Sequence, residues 1–395
     1  MIMVKEWGFS TRAVHAGAEG QPEGATNPPI VASAGFAFDS AEEGFQRFAE
    51  GKGYVYSRYA NPTVRAVEVR LASLEGAGEV LLCASGMSAI AMALLGSLQA
   101  GDHLISEGSI YGGTISLLGQ LFPRLGIQVS LIDTLDRAQL GGALRPNTKA
   151  LYLETPGNPL LKILPLKELA AWAADRGLVT IVDSTFATPY LQRPLQLGCD
   201  LVVHSATKFL GGHGDLTAGL VAGARERIEP LRTGWQRLFG PVLSPFEAFL
   251  LGRGLATLPL RMEQCCASAL AIAAFLESSS AVGRVYYPGL PSHPQHAIAA
   301  RQMEKGFGGI VAFELASGSP GAVATLDSLR LISRVASLGD TRSLIMHPAS
   351  SSHRLLSPAE RAALGIGDGL LRLSVGLEEV EDLIGDLRQA MSSYS

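Results

Sequence analysis

The residues with the clearest chemical potential lie at the ends of two apolar segments. Asp183 ends "LVTIVDS", and Lys208 follows "LVVHSAT", which also supplies the hydroxyls of Ser205 and Thr207. The lysine comes 208 − 183 = 25 residues after the acid, the length of one strand–helix–strand step, so the two should occupy neighbouring strand ends. A carboxylate at the end of a buried strand is costly unless a cation pairs with it. We therefore expect a paired acid, a nucleophilic lysine and an anion site at one edge of a sheet.

Other segments supply groups that could complete such a site. "ASGM" predicts a helix start at which the amides of Gly86 and Met87 would bind an anion. Tyr111 in "SIYGGT" could stack on an aromatic ring while its hydroxyl serves as acid or base. Tyr56 and Arg58 lie in "YVYSRYANP", and an arginine can hold a phosphate through two parallel hydrogen bonds.

Together these groups match the requirements of pyridoxal phosphate. The helix start and the hydroxyls suit its phosphate, Asp183 would keep the pyridine nitrogen protonated, and Lys208 would react with the aldehyde. Burial and a cationic neighbourhood should lower the pKa of Lys208, so that the amine can act as nucleophile and base. The glycines of "GGHG" at 211–214 are expected to let the backbone turn closely under the cofactor.

The elements predicted around these residues form an α/β protein. A helix is expected to begin with Asn61 as cap and Pro62 at the first position, and to end at Gly76. Near-continuous apolar runs separated by helical patterns are typical of a mostly parallel sheet that is buried on both faces. These runs are "VLLCAS", "HLISEG", "IQVSLID", "KALYLET", "LVTIVDS", "LVVHSAT" and "GLVAG".

The 395 residues are expected to form an arm and two domains. Residues 1–58 lack a periodic pattern and contain turn signals such as "NPP", which predicts an extended arm that lies on a neighbouring subunit. Residues 59–247 would form the cofactor-binding α/β domain, and residues 248–395 a smaller α+β domain. The second domain is predicted from the helical segments "RMEQCCASALAIAAFLES" and "VEDLIGDLRQAMSS" and the strand segments "GGIVAFEL" and "LLRLSVGL".

Composition restricts the class of partner. With 32 basic and 36 acidic residues the formal charge is −4, which provides no basic surface for nucleic acid or an anionic membrane and favours a small-molecule substrate. A hydrophobic content of 47% with only 17% charged residues favours an oligomer. The chain has no apolar run long enough to span a membrane and no signal-peptide pattern at its start, so a soluble, cytoplasmic protein is expected. The four cysteines have no C-x-x-C spacing and are expected in the core: Cys83, Cys199, Cys265 and Cys266.

The ordered motifs "YSRYANPT", "ASGM", "SIYGGT", "ETPGNP", "DSTFATP", "SATKFLGGHGD", "ASLGDTRSLIMHPAS" and "LRLSVGLE" span nearly the whole chain. In order and spacing they resemble the trans-sulfuration family of pyridoxal-phosphate enzymes. The resemblance implies an aspartate-aminotransferase-like (fold type I) α/β fold with a mostly parallel central sheet. It also implies gamma-elimination on sulfur amino acids, with L-methionine gamma-lyase activity as the first expectation.

The resemblance implies a role for each candidate site residue. Lys208 would form the Schiff base, and Asp183 would pair with the ring nitrogen. Tyr111 would stack on the ring and handle the leaving group. Asn158 would contact the phenolic oxygen of the cofactor.

The resemblance further implies a binding site shared between subunits. Arg372, with Ser337, would bind the substrate carboxylate. The phosphate would be held by Gly86, Met87, Ser205 and Thr207 of one subunit and by Tyr56 and Arg58 of the adjacent one. Such sharing requires a dimer, and the family is usually a tetramer of two dimers, so a homotetramer is expected.

The chain departs from the family pattern at four places. Ser184 replaces a usual asparagine, and Gly113 stands where methionine gamma-lyases typically have cysteine. Gln236 and Arg237 replace a Lys-Asp pair of those enzymes. Ala336 stands where enzymes that use cystathionine generally place a glutamate, which implies a less polar pocket.

Several alternatives stay open at this point. Gly113 favours an O-acetyl- or O-succinylhomoserine sulfhydrylase, whereas "ASLGD" and "GHGDLTAG" favour a lyase, and cystathionine gamma-lyase is a further possibility. A non-catalytic protein that binds pyridoxal phosphate would have no use for Tyr111 or Arg372. His204 and His213 lack metal-ligand spacing, so structural roles are expected for both and no metal is implied.

Overall fold

The computed structural model describes residues 7–51, 53–352, 354 and 357–392, which form two β-sheets with packed helices. The α-helices of this part are α1 Phe9–His15, α2 Ala41–Glu50, α3 Pro62–Glu75, α4 Gly86–Leu95, α5 Gly112–Ser116, α6 Arg137–Gly142, α7 Leu166–Ala174, α8 Thr188–Leu191, α9 Arg225–Pro230, α10 Arg237–Phe239, α11 Pro245–Ala256, α12 Leu258–Ser278, α13 His296–Gln302, α14 Gly318–Ser328, α15 Pro358–Ala363 and α16 Val380–Ser392.

The larger sheet has seven strands and is mostly parallel, as predicted. Its strands are β1 Glu79–Cys83, β2 His103–Glu107, β3 Gln128–Ile132, β4 Thr148–Glu154, β5 Val179–Asp183, β6 Leu201–Ser205 and β7 Gly219–Gly223. Their spatial order is β1-β7-β6-β5-β4-β2-β3, and only β7 runs antiparallel to its neighbours in this sheet. Six of the seven predicted runs are mostly buried, whereas the edge strand β3 is partly exposed.

The strand register brings the polar strand ends together. Glu154 at the end of β4 is paired with Asp183 at the end of β5, and Asp183 is paired with Val203 near the end of β6. Since parallel strands end at the same edge of a sheet, the loops after all three strands start at one place. The expectation that Asp183 and Lys208 follow neighbouring strands is confirmed.

Helix α3 begins and ends where the sequence predicts. The side chain of Asn61 accepts a hydrogen bond from the amide of Thr63, Pro62 occupies the first helical position, and Gly76 adopts the left-handed conformation with φ of 70°. The helix packs Leu71 and Leu74 into a core on one face of the large sheet, and a second core covers the opposite face.

The prediction that residues 1–58 are extended throughout is wrong at two stretches. Helix α1 forms because Phe9 and Ala13 pack into the core beside α3, and such a short helix depends on tertiary packing. Helix α2 is capped by the side chain of Ser40, which accepts from the amide of Glu43. Contact of this segment with a neighbouring subunit stays a prediction.

The smaller sheet lies in the C-terminal part. Its strands are β8 Val282–Tyr286, β9 Ile310–Leu315, β10 Ser333–Arg334, β11 Leu344–Met346 and β12 Leu370–Ser374, in the order β10-β11-β12-β9-β8. Helices α12, α14 and α16 contribute buried residues to its core. Helix α11 runs across the predicted boundary between residues 247 and 248, and Leu251 lies in the core of the large sheet. The predicted domain division therefore stays a prediction.

Two further sequence expectations concern burial. All four cysteines are buried and unpaired, as expected of core residues. In the described part of the chain, every helix is too short or too polar to cross a membrane.

Candidate active site

A cavity of about 530 Å³ opens at the edge where β4, β5 and β6 end. It is lined by ten of the twelve predicted site residues: Gly86, Met87, Tyr111, Asn158, Asp183, Ser205, Thr207, Lys208, Ser337 and Arg372. These residues come from segments of both the large-sheet and the small-sheet parts of the chain. One concave surface thus carries a lysine, an acid, an arginine and a tyrosine. This arrangement is expected of an enzyme site.

Lys208 is held inside the cavity by the segment that follows β6. Its amide donates to the carbonyl of Ser205, and its Nζ donates to Oγ of Ser337 over 2.9 Å. Burial, together with the positive charge of Arg372, lowers the pKa of Lys208 from 10.5 to about 8. The amine is therefore neutral often enough near physiological pH to act as a nucleophile or base.

Asp183 is a buried carboxylate that ends β5. Its Oδ1 accepts from the amide of Thr185 over 2.9 Å and from the Thr185 hydroxyl over 2.6 Å. Burial raises the pKa of Asp183, and the hydrogen bonds from Thr185 offset part of the rise. A cation beside this carboxylate, such as a protonated ring nitrogen, would compensate the cost of its charge.

The predicted phosphate site is formed around the first turn of α4. Gly86 and Met87 are the first two residues of the helix, so their amides have no carbonyl acceptor within it. A Cβ at Gly86 would lie 2.7 Å from Cβ of Ser205, so only glycine lets the helix start approach β6 this closely. The Thr207 hydroxyl accepts from the amide of Ala218 over 2.9 Å.

Arg372 on β12 is buried and faces the cavity together with Asn158. Its Nη1 donates to Oδ1 of Asn158 over 2.8 Å, and its Nη2 donates to the carbonyl of Ser337 over 3.0 Å. Burial lowers the pKa of Arg372 to about 10, so the guanidinium keeps its charge at neutral pH. Its Nε is buried and has no hydrogen-bond partner in the described residues, which suits an anionic ligand.

Tyr56 and Arg58 are the two predicted site residues that the single chain does not bring to the cavity. The guanidinium of Arg58 donates to the carbonyl of Arg237 and lies 5.0 Å from the ring centroid of Tyr59. Tyr56 is 45% exposed. Their predicted contribution from an adjacent subunit stays a prediction.

Glu154 is a cavity residue that the sequence analysis did not single out. It is the last residue of β4, and its carboxylate accepts hydrogen bonds from the amides of Tyr111 and Asn158. An acid at the end of a buried strand, three residues after Leu151 in an apolar run, is the same signal that identified Asp183. The signal is therefore present at the end of β4 as well as at the end of β5.

The expectation for the glycines at 211–214 is wrong. These residues do not line the cavity; a Cβ at Gly212 would lie 1.9 Å from Nη1 of Arg261. Gly212 also has φ of 75°, which favours glycine. The guanidinium of Arg261 donates to the carbonyls of Phe209 and Gly254, each over 2.7 Å. Gly212 therefore makes room for a buried arginine, whereas a Cβ at Gly214 would lie 2.2 Å from Oδ2 of Asp340.

The two histidines near Lys208 contact protein groups. Nε2 of His204 lies 2.6 Å from Oε1 of Glu75, and both side chains are fully buried. Nδ1 of His213 lies 2.8 Å from the carbonyl of Gly211. Ser184, the residue that departs from the family pattern beside Asp183, is buried and within hydrogen-bond distance of Gln192.

The residues present fit pyridoxal phosphate. One cavity is surrounded by the groups that the cofactor needs. They are the amine of Lys208 with its lowered pKa, the buried acid Asp183, the amides at the start of α4, the nearby hydroxyls, and Nε of Arg372, which has no partner in the described residues. When bound, the cofactor would supply an electron sink for carbanion chemistry. The mostly parallel sheet and this site define the class of pyridoxal-phosphate-dependent enzymes with an aspartate-aminotransferase-like fold.

Comparison with known proteins assigns the family within that class. Residues 10–392 match the family described as Cys/Met metabolism PLP-dependent enzyme, and the chain belongs to this family. It is 45% identical to an L-methionine gamma-lyase of Porphyromonas gingivalis, over 98% of this chain and 97% of that protein. It is also 45% identical to an O-succinylhomoserine sulfhydrylase of Pseudomonas aeruginosa, over 98% and 95%.

A solved structure agrees with this assignment. The crystal structure of cystathionine gamma synthase from Xanthomonas oryzae pv. oryzae, in complex with aminoacrylate and cysteine, superimposes with a TM-score of 0.92 at 41% identity. The match covers 98% of each chain. The predicted fold class, the pyridoxal-phosphate dependence and the class of sulfur amino acid enzymes are confirmed. The alternative of a non-catalytic binding protein gains no support, because the family consists of enzymes.

The lowered pKa of Lys208 predicts how the apoprotein takes up its cofactor. Only the neutral amine attacks an aldehyde, and a pKa of about 8 makes half of the amines neutral at pH 8. The rate at which added pyridoxal phosphate turns the apoprotein yellow should therefore rise with pH to about 8 and then level off. A rate that kept rising up to pH 10.5, the ordinary lysine value, would contradict the lowered pKa.

Gly113 predicts an effect on the position of Tyr111. A Cβ at residue 113 would lie 2.4 Å from Cε1 of Tyr111 and 3.1 Å from Sδ of Met87, so Gly113→Ala should displace the ring. Because misplacement of a catalytic group by 1 Å can cost about 100-fold, kcat should fall by up to about 100-fold. The ring is 43% exposed and can move outward, so Tm should change little.

The matched control for this substitution is Gly119→Ala. Within the described part of the chain, no heavy atom outside its own helix backbone lies within 4 Å of a Cβ at residue 119, which is in the helical segment that follows α5. Steady-state kinetics and thermal melts of both variants separate the two effects. An unchanged kcat in Gly113→Ala would show that Tyr111 does not need its present position.

Proposed function

We propose that this protein is an L-methionine gamma-lyase, which converts methionine and water to 2-oxobutanoate, methanethiol and ammonia. The proposal rests on three cavity side chains: the amine of Lys208, the guanidinium of Arg372 and the phenol of Tyr111. It is supported by the similarity to proteins named L-methionine gamma-lyase, at 44–45% identity over nearly the whole chain.

The apolar side of the cavity is the observation that favours methionine. Ala336, Leu338 and Met346 line it, and such a surface suits a thioether and a methyl group. In the described lining, the carboxylates are those of Glu154 and Asp183, and each already accepts hydrogen bonds from the protein. The distal ammonium of cystathionine would thus lack an acidic partner.

The side chains of the cavity would divide the work of elimination. Arg372 and Ser337 would bind the substrate carboxylate, which fixes the alpha carbon beside Lys208. Nζ of Lys208 would remove the alpha proton and carry it within the site, which its pKa of about 8 allows. The hydroxyl of Tyr111 would donate a proton to the departing thiolate.

A second candidate is supported by two observations at the mouth of the cavity. Arg354 lines the cavity and is exposed, so its guanidinium could bind the succinyl carboxylate of O-succinylhomoserine. Gly113 has no side chain, which lets the Tyr111 ring lie against the backbone at this point, and by the family resemblance sulfhydrylases also have glycine here. This activity would replace the gamma substituent by sulfide instead of releasing a 2-oxo acid.

One substrate panel tests the proposal. Methionine, homocysteine, cystathionine, O-acetylhomoserine and O-succinylhomoserine are each incubated with and without sulfide, and the 2-oxo acid, thiol and amino acid products are measured. Release of 2-oxobutanoate and methanethiol from methionine, at a higher kcat/KM than from cystathionine, is expected. Faster turnover of an acylated homoserine with sulfide would assign the sulfhydrylase activity, and no release from methionine would overturn the lyase.

We further propose that the enzyme is a homotetramer of two dimers, with Tyr56 and Arg58 supplied to the phosphate by the adjacent subunit. Large apolar side chains that are more than half exposed support an interface: Phe45, Phe48, Leu238, Phe239, Phe246 and Leu260. Sedimentation of the holoenzyme should give at least a dimer, and Arg58→Ala should weaken cofactor retention. A monomer with full activity would contradict this assembly. A cytoplasmic location stays a prediction.

A further inference from the structure

Glu154 occupies an unusual position for a carboxylate. It is 5% exposed and pairs in register with Asp183 on the next strand, so two acids lie side by side at the buried edge of the sheet. Burial raises the pKa of Glu154 well above its ordinary range, and the charge of Asp183 adds to the rise. A second acid in such a place requires a reason, because it is costly to keep there.

The hydrogen bonds of Glu154 provide that reason. Oε2 accepts from the amide of Tyr111 over 2.8 Å, and Oε1 accepts from the amide of Asn158 over 3.0 Å. Tyr111 immediately precedes α5, where no side chain caps the helix, and Asn158 lies in the loop after β4. One carboxylate thus joins two separate loops that each carry a cavity residue.

The connection continues to the lysine. Asn158 accepts from Arg372, Arg372 donates to the carbonyl of Ser337, and the Ser337 hydroxyl accepts from Lys208. The lengths of these hydrogen bonds are 2.8, 3.0 and 2.9 Å. A series of hydrogen-bonded residues therefore connects the backbone of Tyr111 through Glu154 to Lys208, with Asn158 and Ser337 each contributing both a backbone and a side-chain group.

We propose that Glu154 is a positioning residue, which sets Tyr111 and Asn158 in fixed places relative to each other around the bound cofactor. This role rests on the proposed site roles of those two residues. Two converging N–H donors require an acceptor at each of two positions, and the carboxyl group of Glu154 offers one on each oxygen. In glutamine the amide nitrogen would face one of the two N–H groups and leave it unpaired.

The matched control for Glu154 is Glu107. It is also a buried carboxylate at the end of a strand of the same sheet, and it accepts from the amides of Ser109 and Thr134. It differs from Glu154 in that it also accepts from the Thr134 hydroxyl and pairs with Nζ of Lys162 over 2.9 Å. It does not line the cavity. Glu107→Gln should therefore lose hydrogen bonds of the same kind together with the ion pair to Lys162, and lower Tm by at least as much, without disturbing the cofactor.

The test compares wild type, Glu154→Gln and Glu107→Gln as holoenzymes. The visible circular dichroism of bound pyridoxal phosphate reports its asymmetric surroundings and needs no turnover. In Glu154→Gln this signal should fall by about half or more, and kcat for the best substrate of the panel should drop by about 100-fold, as expected for a displaced catalytic group. Glu107→Gln should keep the wild-type signal and kcat.

Other outcomes would overturn the role of Glu154. The proposed role would be wrong if Glu154→Gln kept the wild-type dichroism signal, or if both variants lost the same fraction of that signal. Glu154 would then have only a structural role. If Glu154→Gln does not fold, Glu154→Asp is compared with Glu107→Asp instead, by the same dichroism signal and kcat. Each of these substitutions keeps the carboxyl group and shortens the side chain by one methylene. Because dichroism does not depend on the substrate, failure of the proposed methionine activity in wild type would leave this test intact.

Discussion

Replacement of Lys208 by alanine is expected to lower kcat by about 10⁴-fold or more, the largest effect of any single substitution in this protein. Proton transfer by a positioned side chain contributes about 10²–10⁴-fold, and the same substitution also removes the nucleophile that would hold the cofactor. The stability of the apoprotein should not fall, because the lysine amine loses solvation on burial and its removal relieves that cost. Steady-state kinetics and a thermal melt of the purified variant measure both quantities.

Two further variants make the Lys208 result specific. Lys208→Arg keeps a cation that cannot lose its proton, so it should be as inactive as alanine. Lys167→Ala removes an exposed lysine from α7 and should leave kcat unchanged. Borohydride reduction followed by peptide mapping should label residue 208 of the wild type. Label at another lysine, or substantial activity in Lys208→Ala, would show that the site has been assigned to the wrong residue.

Arg372→Leu should lower kcat/KM for amino acid substrates by about 30- to 4000-fold. This range corresponds to the roughly 2–5 kcal/mol lost when one partner of a buried, hydrogen-bonded charge pair is removed. Most of the loss should appear in KM, because the guanidinium would bind the carboxylate both before and during the reaction. The substitution also removes the hydrogen bonds from Arg372 to Asn158 and Ser337, so kcat should decrease as well, by a smaller factor.

A substrate without the carboxylate separates binding from packing. Wild type should prefer methionine strongly over methionine amide, whereas Arg372→Leu should treat the two nearly alike. Arg372→Lys should recover part of the preference for methionine over the amide, because the ammonium keeps the positive charge but cannot make bidentate hydrogen bonds. If Arg372→Leu still discriminated against the amide as wild type does, the carboxylate would have to bind elsewhere.

The strands and two of the residues that line the cavity could be predicted from local signals. Apolar runs identified the seven strands of the large sheet, and a polar residue directly after such a run identified Asp183 and Lys208. The caps of α3 were predicted because Asn61, Pro62 and Gly76 act on backbone groups within a few residues of themselves. Predictions of this kind succeed because their physical causes are short in range.

Local signals failed where packing against distant residues decided the structure. The seven residues of α1 form a helix because Phe9 and Ala13 pack into the core beside α3. The sequence of the arm has no periodic pattern that predicts this helix. Gly212 accommodates Arg261, which lies on a helix about fifty residues later in the chain. The backbone freedom was visible in the sequence, but the group that requires it was not.

By itself, the sequence determined which residues stand at the ends of the strands, since strand limits and the spacing between them follow from local composition. Tertiary structure alone decided how those ends are connected. Asn158 and Arg372 are 214 residues apart and yet share a hydrogen bond, and Glu154 joins loops that follow different strands. Strand order and register set these contacts, and both depend on the packing of the whole sheet rather than on any one segment.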